Sequence, residues 1–153
     1  MELRAYTGAD AEATLAVFFR AIRETASADY SPEQIDAWAA EARDLGAWAE
    51  SRAVAHTQLA VIDSRVIGFT DLDDNGYIDM MFVDPDFGRQ GVATTLLAAT
   101  KTLARQRGLV ALTTYASLTA KPFFKQHGSL VTEERHLTHG GVGMVNFAMR
   151  CVL

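Results

Sequence analysis

One stretch limits the topology of this chain more than any other. An apolar strand pattern, YIDMMFVD, leads through DPDFGRQG into a helical run from about Gly91 to Arg107, and a second strand pattern, LVALTTYAS, follows. Strand, helix and strand in that order form a right-handed crossover that lays the two strands parallel. Lys101, Arg105 and Arg107 gather toward the end of the helix and Gly108 stands just past it, which suits a helix C-terminus.

The remaining segments arrange themselves around that unit. ELRAYT reads as a first strand. GADAEATLAVFFRAIRETA reads as a helix, with Asp10 as its cap and Leu15, Phe18, Phe19 and Ile22 as one apolar stripe. YSPEQIDAWAAEA starts a second helix, in which Ser31 at the N-cap, Pro32 at the first position and Gln34 three residues on make a capping box. LGAWAESRA reads as a further helical turn. HTQLAVID and VIGFTDLD are strands joined at Asp63-Ser64-Arg65, and Asn75-Gly76 is a hairpin signal before YIDMMFVD. TAKPFFKQHG is a short helix, and SLVTEERHLTH and GMVNFAMRCVL are strands joined through Gly140-Gly141. The expected fold class is α/β, more fully an α+β mixed sheet with helices on both faces, in the order β-α-α-β-β-β-α-β-α-β-β. A chain of 153 residues, 49% hydrophobic, suits a single domain over residues 1–153.

Charge and composition narrow the function. Fourteen basic against nineteen acidic residues leave a net charge of −5 and no basic run, so no nucleic-acid partner is expected. No apolar run is long enough to span a membrane, and MELRAYTGAD lacks the basic-then-apolar pattern of a secretory signal. With a single cysteine, Cys151, which reads as a small apolar residue in the last strand, the expected location is the cytoplasm.

The chemistry points to the mouth of the long helix. The first N–H groups of a helix have no intrahelical partner and carry partial positive charge. An anion there accepts several hydrogen bonds at once, provided side chains leave room. Gly88, Gly91 and Ala93 leave such room, and Arg89 adds a fixed cation. The stretch therefore reads either as a pyrophosphate cradle or as a plain strand-to-helix turn. It is not a P-loop, since no Gly-Lys-Ser/Thr follows, and its GxxGxA spacing is not that of a dinucleotide fold.

YIDMMFVDPDFGRQGVATTLL resembles the central motif of the GNAT acetyltransferases, in which a strand and Val-Asp-Pro lead into [Q/R]-x-x-G-x-[G/A]. Gly91 and Ala93 fit the fourth and sixth positions, and Gly88 replaces the usual Gln or Arg at the first. The likeness extends over about residues 2 to 150, and YSPEQIDAWA, YIDMMFVDP and ASLTAKPFFKQHG resemble the YafP-like bacterial branch of the family. The resemblance implies acetyl transfer from acetyl-CoA, without a metal, to an amine of a small molecule or a peptide N-terminus; dimers are common in the family. It implies that backbone N–H groups of Arg89, Gln90, Gly91, Val92, Ala93 and Thr94 hold the CoA pyrophosphate beside Gly88. Val83 would bind the pantetheine arm through its backbone. Phe82 would lie beside the thioester, its N–H polarising the carbonyl. Ser117 and Phe124 would line the cofactor cleft.

Amide formation needs a neutral amine, a stabilised oxyanion and a thiolate that can leave. Asp79 stands in an apolar strand, at a position where many family members carry a catalytic carboxylate, and is the candidate base. The plain reading is a strand residue paired with an arginine. Burial would have to raise its pKa, or it would act through water. The usual acid is a tyrosine in the helix after the crossover strand. Phe124 stands at that position, so Tyr115 is the replacement candidate, or solvent protonates the thiolate. Tyr30 and Trp38 frame the second helix in the region that overhangs the acceptor cleft, and with Asp79 they are the candidate acceptor contacts. A non-catalytic acyl-CoA sensor is the alternative function. DLDDNGYID matches half of a calcium loop, but Phe82 stands where the twelfth-position glutamate belongs, and a hairpin explains the same residues. His56, His127, His136 and His139 lack metal-ligand spacing.

Overall fold

The computed structural model describes residues 1–40 and 44–153. The chain begins with β1 (Glu2–Ala5). A short 3₁₀ turn then leads into α1 (Ala11–Arg20), which continues through a wide π turn, Ala21–Thr25, and a 3₁₀ turn, Ala26–Ala28. Next come α2 (Pro32–Ala39), α3 (Leu45–Val54), β2 (Gln58–Ile62), β3 (Arg65–Thr70), β4 (Tyr77–Ile78) and β5 (Met81–Val83). The crossover helix α4 (Val92–Gln106), β6 (Ala111–Ser117), α5 (Lys121–Gln126), β7 (Leu130–His139) and β8 (Val142–Val152) complete the chain.

Local chemistry accounts for most of these boundaries. In α2 the Gln34 N–H donates to Ser31 Oγ at 3.2 Å and Gln34 Oε1 accepts from the Ser31 N–H at 2.9 Å, the reciprocal pair the sequence predicts. The continuation of that helix to Glu41 and Ala42 lies outside the described residues. Asp10 stands at the N-cap of α1 as expected, but its side chain makes no capping bond there. Its carboxylate turns back to the Thr7 N–H at 2.9 Å and to Arg4 at 2.8 Å, because the 3₁₀ turn places Thr7 in reach. LGAWAESRA is more than a turn: α3 runs ten residues, held at its start by Asp44, which accepts from the Ala47 N–H at 3.1 Å. Asp63 and Ser64 both adopt positive φ, 48° and 67°, as a two-residue hairpin requires.

The expected mixed sheet divides in two. One sheet is β1-β2-β3-β5, wholly antiparallel, and the other is β4-β6-β8-β7. The apolar segment YIDMMFVD is the reason. Tyr77 and Ile78 pair in parallel with Thr113 and Thr114 of β6, whereas Met81–Val83 pair with Gly68–Thr70 of β3. The crossover is therefore parallel as predicted, but over two residue pairs only. Beyond them β5 and β6 part company.

Helices cover both sides. Phe18, Ile22, Tyr30, Ile35 and Trp48 bury the first three helices against Leu59 and Phe69 of one sheet. Val92 and Leu96 press α4 onto Ala60 and Ile67, while Leu97, Phe124 and Phe147 fill the space beneath the other sheet. Each fully buried large side chain contributes about 1.5–3 kcal/mol. Gly68 lets α4 approach β3 closely, since a Cβ there would stand 3.0 Å from Val92 Cγ1 and 3.1 Å from the Phe82 carbonyl oxygen.

Candidate active site

The parting of β5 and β6 opens a cavity of about 480 Å³. Met81 and Phe82 form one wall, Tyr115, Ala116 and Ser117 the other, and Tyr30, Trp38, Trp48 and Arg52 close one end. The backbone lining of the β5 wall follows from register. The Asp84 N–H donates to the Ile67 carbonyl at 2.8 Å, and the Asp71 N–H to that of Met80 at 3.2 Å. Antiparallel ladders bond at every second residue. Between those two bonds, Phe82 opposite Phe69 is thus the bonded pair. The Phe82 N–H accordingly belongs to β3 and does not polarise anything in the cleft, contrary to expectation. The N–H and C=O groups of Met81 and Val83 face the other way, along the edge that β3 leaves free. Val83, expected to bind the pantetheine arm, and Met81 both stand on that edge. The Phe82 ring packs 5.0 Å from Phe18 and 5.8 Å from Phe69, as core.

The turn after β5 is fastened by charge. Asp84 is 3% exposed and accepts from Arg20 Nη1 at 2.8 Å, Arg65 Nη2 at 2.7 Å and the Asp86 N–H at 2.9 Å. The same two arginines reach Asp86 at 3.2 Å, and Arg20 above all, then Arg65, holds its carboxyl below the usual range. Two acidic charges beside the helix mouth are thereby compensated. Gly88 has φ −61°, open to any residue. Arg89 is left-handed at φ 58°, and Gly91, the N-cap of α4, at φ 83°. A Cβ on Gly91 would meet no atom of the described residues within 4 Å, so its conformation and not crowding by them requires glycine. The Thr95 N–H makes the first helical bond, to Gly91. The N–H groups of Val92, Ala93 and Thr94 precede it in the first turn and point outward. The Val92 side chain is buried, and Thr94 Oγ1 lies 3.3 Å from His127 Nε2. Gly88, Arg89, Gln90 and Gly91 are all exposed. A left-handed residue followed by a helical one is the kind of concave N–H pair that binds anions. The donor set fits a pyrophosphate.

Asp79 sits in the break between β4 and β5. Its side chain is 60% exposed, so the burial expected of a base in an apolar strand is not found. Tyr77 Oη donates to Asp79 Oδ1 at 3.3 Å, and Arg52 Nη2 lies 3.9 Å from Oδ2. Burial, then the Asp79 charge, lifts the Tyr77 phenol above its ordinary value and keeps it a donor. The Tyr115 ring packs 5.6 Å from Tyr77 beneath the Arg135 guanidinium, and is half exposed in the cleft. Tyr77, Asp79 and Tyr115 thus meet at one place. Phe124 is buried beneath the other sheet while still touching the cavity. Ser117 Oγ accepts from the Ala120 N–H at 3.1 Å and secures the turn into α5. The Tyr30 hydroxyl donates to Val145 C=O at 2.9 Å and accepts from the Leu118 N–H at 2.8 Å, which leaves only its ring for the cleft, 5.5 Å from that of Trp38. Sequence reasoning assigned no role to Trp48, whose Nε1 donates to Thr14 Oγ1 at 3.0 Å, and missed Arg52. The calcium-like carboxylates serve backbone: Asp73 Oδ1 accepts from the Asn75 and Tyr77 N–H groups.

Known proteins share this fold. The acetyltransferase (GNAT) domain family matches residues 26–151. The chain is 39% identical over 150 residues to the uncharacterized N-acetyltransferase YafP of Escherichia coli K12, spanning 98% of this chain and 95% of that protein. A GCN5-related N-acetyltransferase structure from Rhodopseudomonas palustris superposes with a TM-score of 0.95 at 34% identity, over 99% of this chain and 95% of that one. The PaiA N-acetyltransferase of Thermoplasma acidophilum, solved in complex with coenzyme A, shares the fold with a TM-score of 0.81 at 19% identity, over 99% and 98% of the two chains. Sequence likeness along nearly the whole length, together with a cleft between parted strands beside a glycine-capped helix, leads to one conclusion: this chain belongs to the GNAT family of acetyl-CoA-dependent N-acetyltransferases.

Proposed function

We propose that the chain transfers the acetyl group of acetyl-CoA directly to the amine of a small molecule or a peptide N-terminus. The observation that carries this reading is the edge of β5 away from β3, where among the described residues no strand pairs with Met81 and Val83, and where Met81 lines the cleft. The α4 mouth binds the pyrophosphate through the N–H groups of Arg89 to Thr94, and Val83 binds the pantetheine arm. The Met81 N–H polarises the thioester carbonyl and stabilises the oxyanion, a task in which one donor is worth about 2.7–4 kcal/mol. The amine nitrogen bonds to the carbonyl carbon, the carbon–sulfur bond breaks, and the amine proton passes to Asp79 or through water to it. The CoA thiolate takes a proton from solvent or from Tyr115. Acidic Asp79 attracts an ammonium, and the rings of Tyr30 and Trp38 give its body a surface to rest on.

The test is CoA release against a panel of primary amines, with wild type and Asp79→Asn side by side from pH 6 to 9. Loss of a general base lowers kcat/KM by about 10²- to 10⁴-fold. A variant within twofold of wild type across that range would remove Asp79 from the mechanism.

A further inference from the structure

The break that separates β4 from β5 needs a cause, because it strands polar backbone inside the protein. Asp71 supplies the missing partners. Its Oδ1 accepts from the Asp79 N–H at 2.8 Å and from the Met80 N–H at 3.0 Å. The Met80 carbonyl is held from the same segment, by the Asp71 N–H at 3.2 Å and Thr70 Oγ1 at 2.9 Å. Oδ2 accepts from Arg52 Nη1 at 2.9 Å, and both side chains are almost wholly buried, at 2% and 4% exposure. Arg52 lies over the Trp48 ring at 5.0 Å and extends its other terminal nitrogen to 3.9 Å from Asp79. Burial lifts the Asp71 carboxyl above its ordinary value even though the Met80 N–H and Arg52 pull it down. A buried pair held at that cost is poor stabilisation, and a well-packed apolar pair is often the more stable choice.

Resting on the acetyl-transfer reading above, we propose that Asp71 is a positioning residue: its carboxylate fixes the Asp79–Met80 break, which aims the Met81 N–H into the cleft, and through Arg52 it orients the Asp79 carboxylate. One buried side chain thereby sets both the oxyanion donor and the base without touching either substrate. The pyrophosphate turn lies elsewhere and does not depend on it.

Three proteins decide the matter: wild type, Asp71→Asn and Asp71→Ala. Asparagine keeps an oxygen for both amides but cannot pair with Arg52, and alanine keeps neither. The probe is acetyl-CoA labelled with ¹³C at the carbonyl. Its affinity is read by calorimetry, its carbonyl stretch by isotope-edited infrared difference spectra, and the Asp79 and Met80 amides by hydrogen exchange. Wild type and Asp71→Asn should bind with the stretch lowered from that of free acetyl-CoA. Asp71→Ala should bind within about threefold of wild type, with the stretch returned toward the free value and the two amides exchanging about tenfold faster or more. Should Asp71→Ala not fold, Asp71→Asn decides: slow amides with a lowered stretch uphold the proposal, and slow amides with a free-like stretch overturn it. An alanine variant that binds with the wild-type stretch also overturns it, and leaves the transfer reading intact. A wild type that does not bind acetyl-CoA removes that reading and this proposal together.

Discussion

Gly91 offers a test in which stability and binding move in opposite directions. Its φ of 83° is left-handed, and an L-residue with a Cβ in that region costs about 1–2 kcal/mol. Among the described residues no atom lies within 4 Å of the added carbon, so strain sets the cost of Gly91→Ala. For 153 residues, at about 2.1 cal/mol/K of unfolding entropy per residue, the entropy is about 0.32 kcal/mol/K, and Tm should fall by about 3–6 °C. Gly88→Ala is the control. Its φ is −61° and its Cβ would stand 3.4 Å from the Pro85 carbonyl oxygen, an ordinary contact, so its Tm should hold or rise slightly. Gly91→Glu carries the same strain as Gly91→Ala, but its carboxylate sits at the positive end of α4. It should be as stable as the alanine variant, or more stable by about 0.3–1 kcal/mol. It should nevertheless bind acetyl-CoA about 10- to 100-fold more weakly than the alanine variant, since two anions would share one partly exposed cradle. Scanning calorimetry reads the first quantity and isothermal titration the second. If the glutamate and alanine variants bind within twofold of each other, no pyrophosphate sits at this helix. If Gly91→Ala melts with Gly88→Ala, the conformational requirement at Gly91 is refuted as well.

Two further predictions concern the scaffold. Gly68→Ala should destabilise by about 1–3 kcal/mol in urea unfolding, because the new methyl would stand 3.0 Å from Val92 Cγ1 and 3.3 Å from Leu96 Cδ1, with the Phe82 carbonyl unable to yield; wild-type stability would refute the close approach of α4. The Arg4 side chain, by its hydrogen bonds first, holds the Asp10 carboxyl down at about 2. A depressed carboxyl contributes stability above its unfolded pKa and loses it as pH falls through the folded one, so Asp10→Asn should cost about 1–2 kcal/mol above pH 4 and only a small part of that near pH 2, the smaller figure reflecting the exposure of Arg4. Parallel stability curves down to pH 2 would remove that linkage.

Much of this was legible from residue type alone. Ser31, Pro32 and Gln34 specify a helix start within four residues, and Gly91 and Gly108 mark the two ends of α4, because caps are local chemistry. Sidedness was not legible. Whether Phe82 or Met81 turns its N–H to the cleft depends on pairing with β3, and a shift of one residue exchanges the two. MMFV is apolar throughout, so no alternation records the choice. Arg52 near the end of a weakly amphipathic helix reads as a solvated cation, and only the fold reveals the buried carboxylate of Asp71 beside it. The same distance effect hid the role of Trp48, whose partner Thr14 is 34 residues away.

The strand break is the clearest case of function opposing stability in this fold. Were residues 77 to 83 one continuous strand between β3 and β6, every backbone group would find a ladder partner and no cleft would exist. Opening the cleft requires that the ladder end on one side before it begins on the other. Two N–H groups then fall between the sheets, each worth about 1–3 kcal/mol if left without an acceptor. A neutral side chain offers a weaker acceptor, and a carboxylate offers a strong one but must itself be desolvated. Arg52 reduces that cost without erasing it, since burial still lifts the Asp71 carboxyl above its ordinary value. The residual penalty falls at the cleft wall, and on the reading proposed above it explains why a buried charge pair lies beside Trp48, Met80 and Phe82 there.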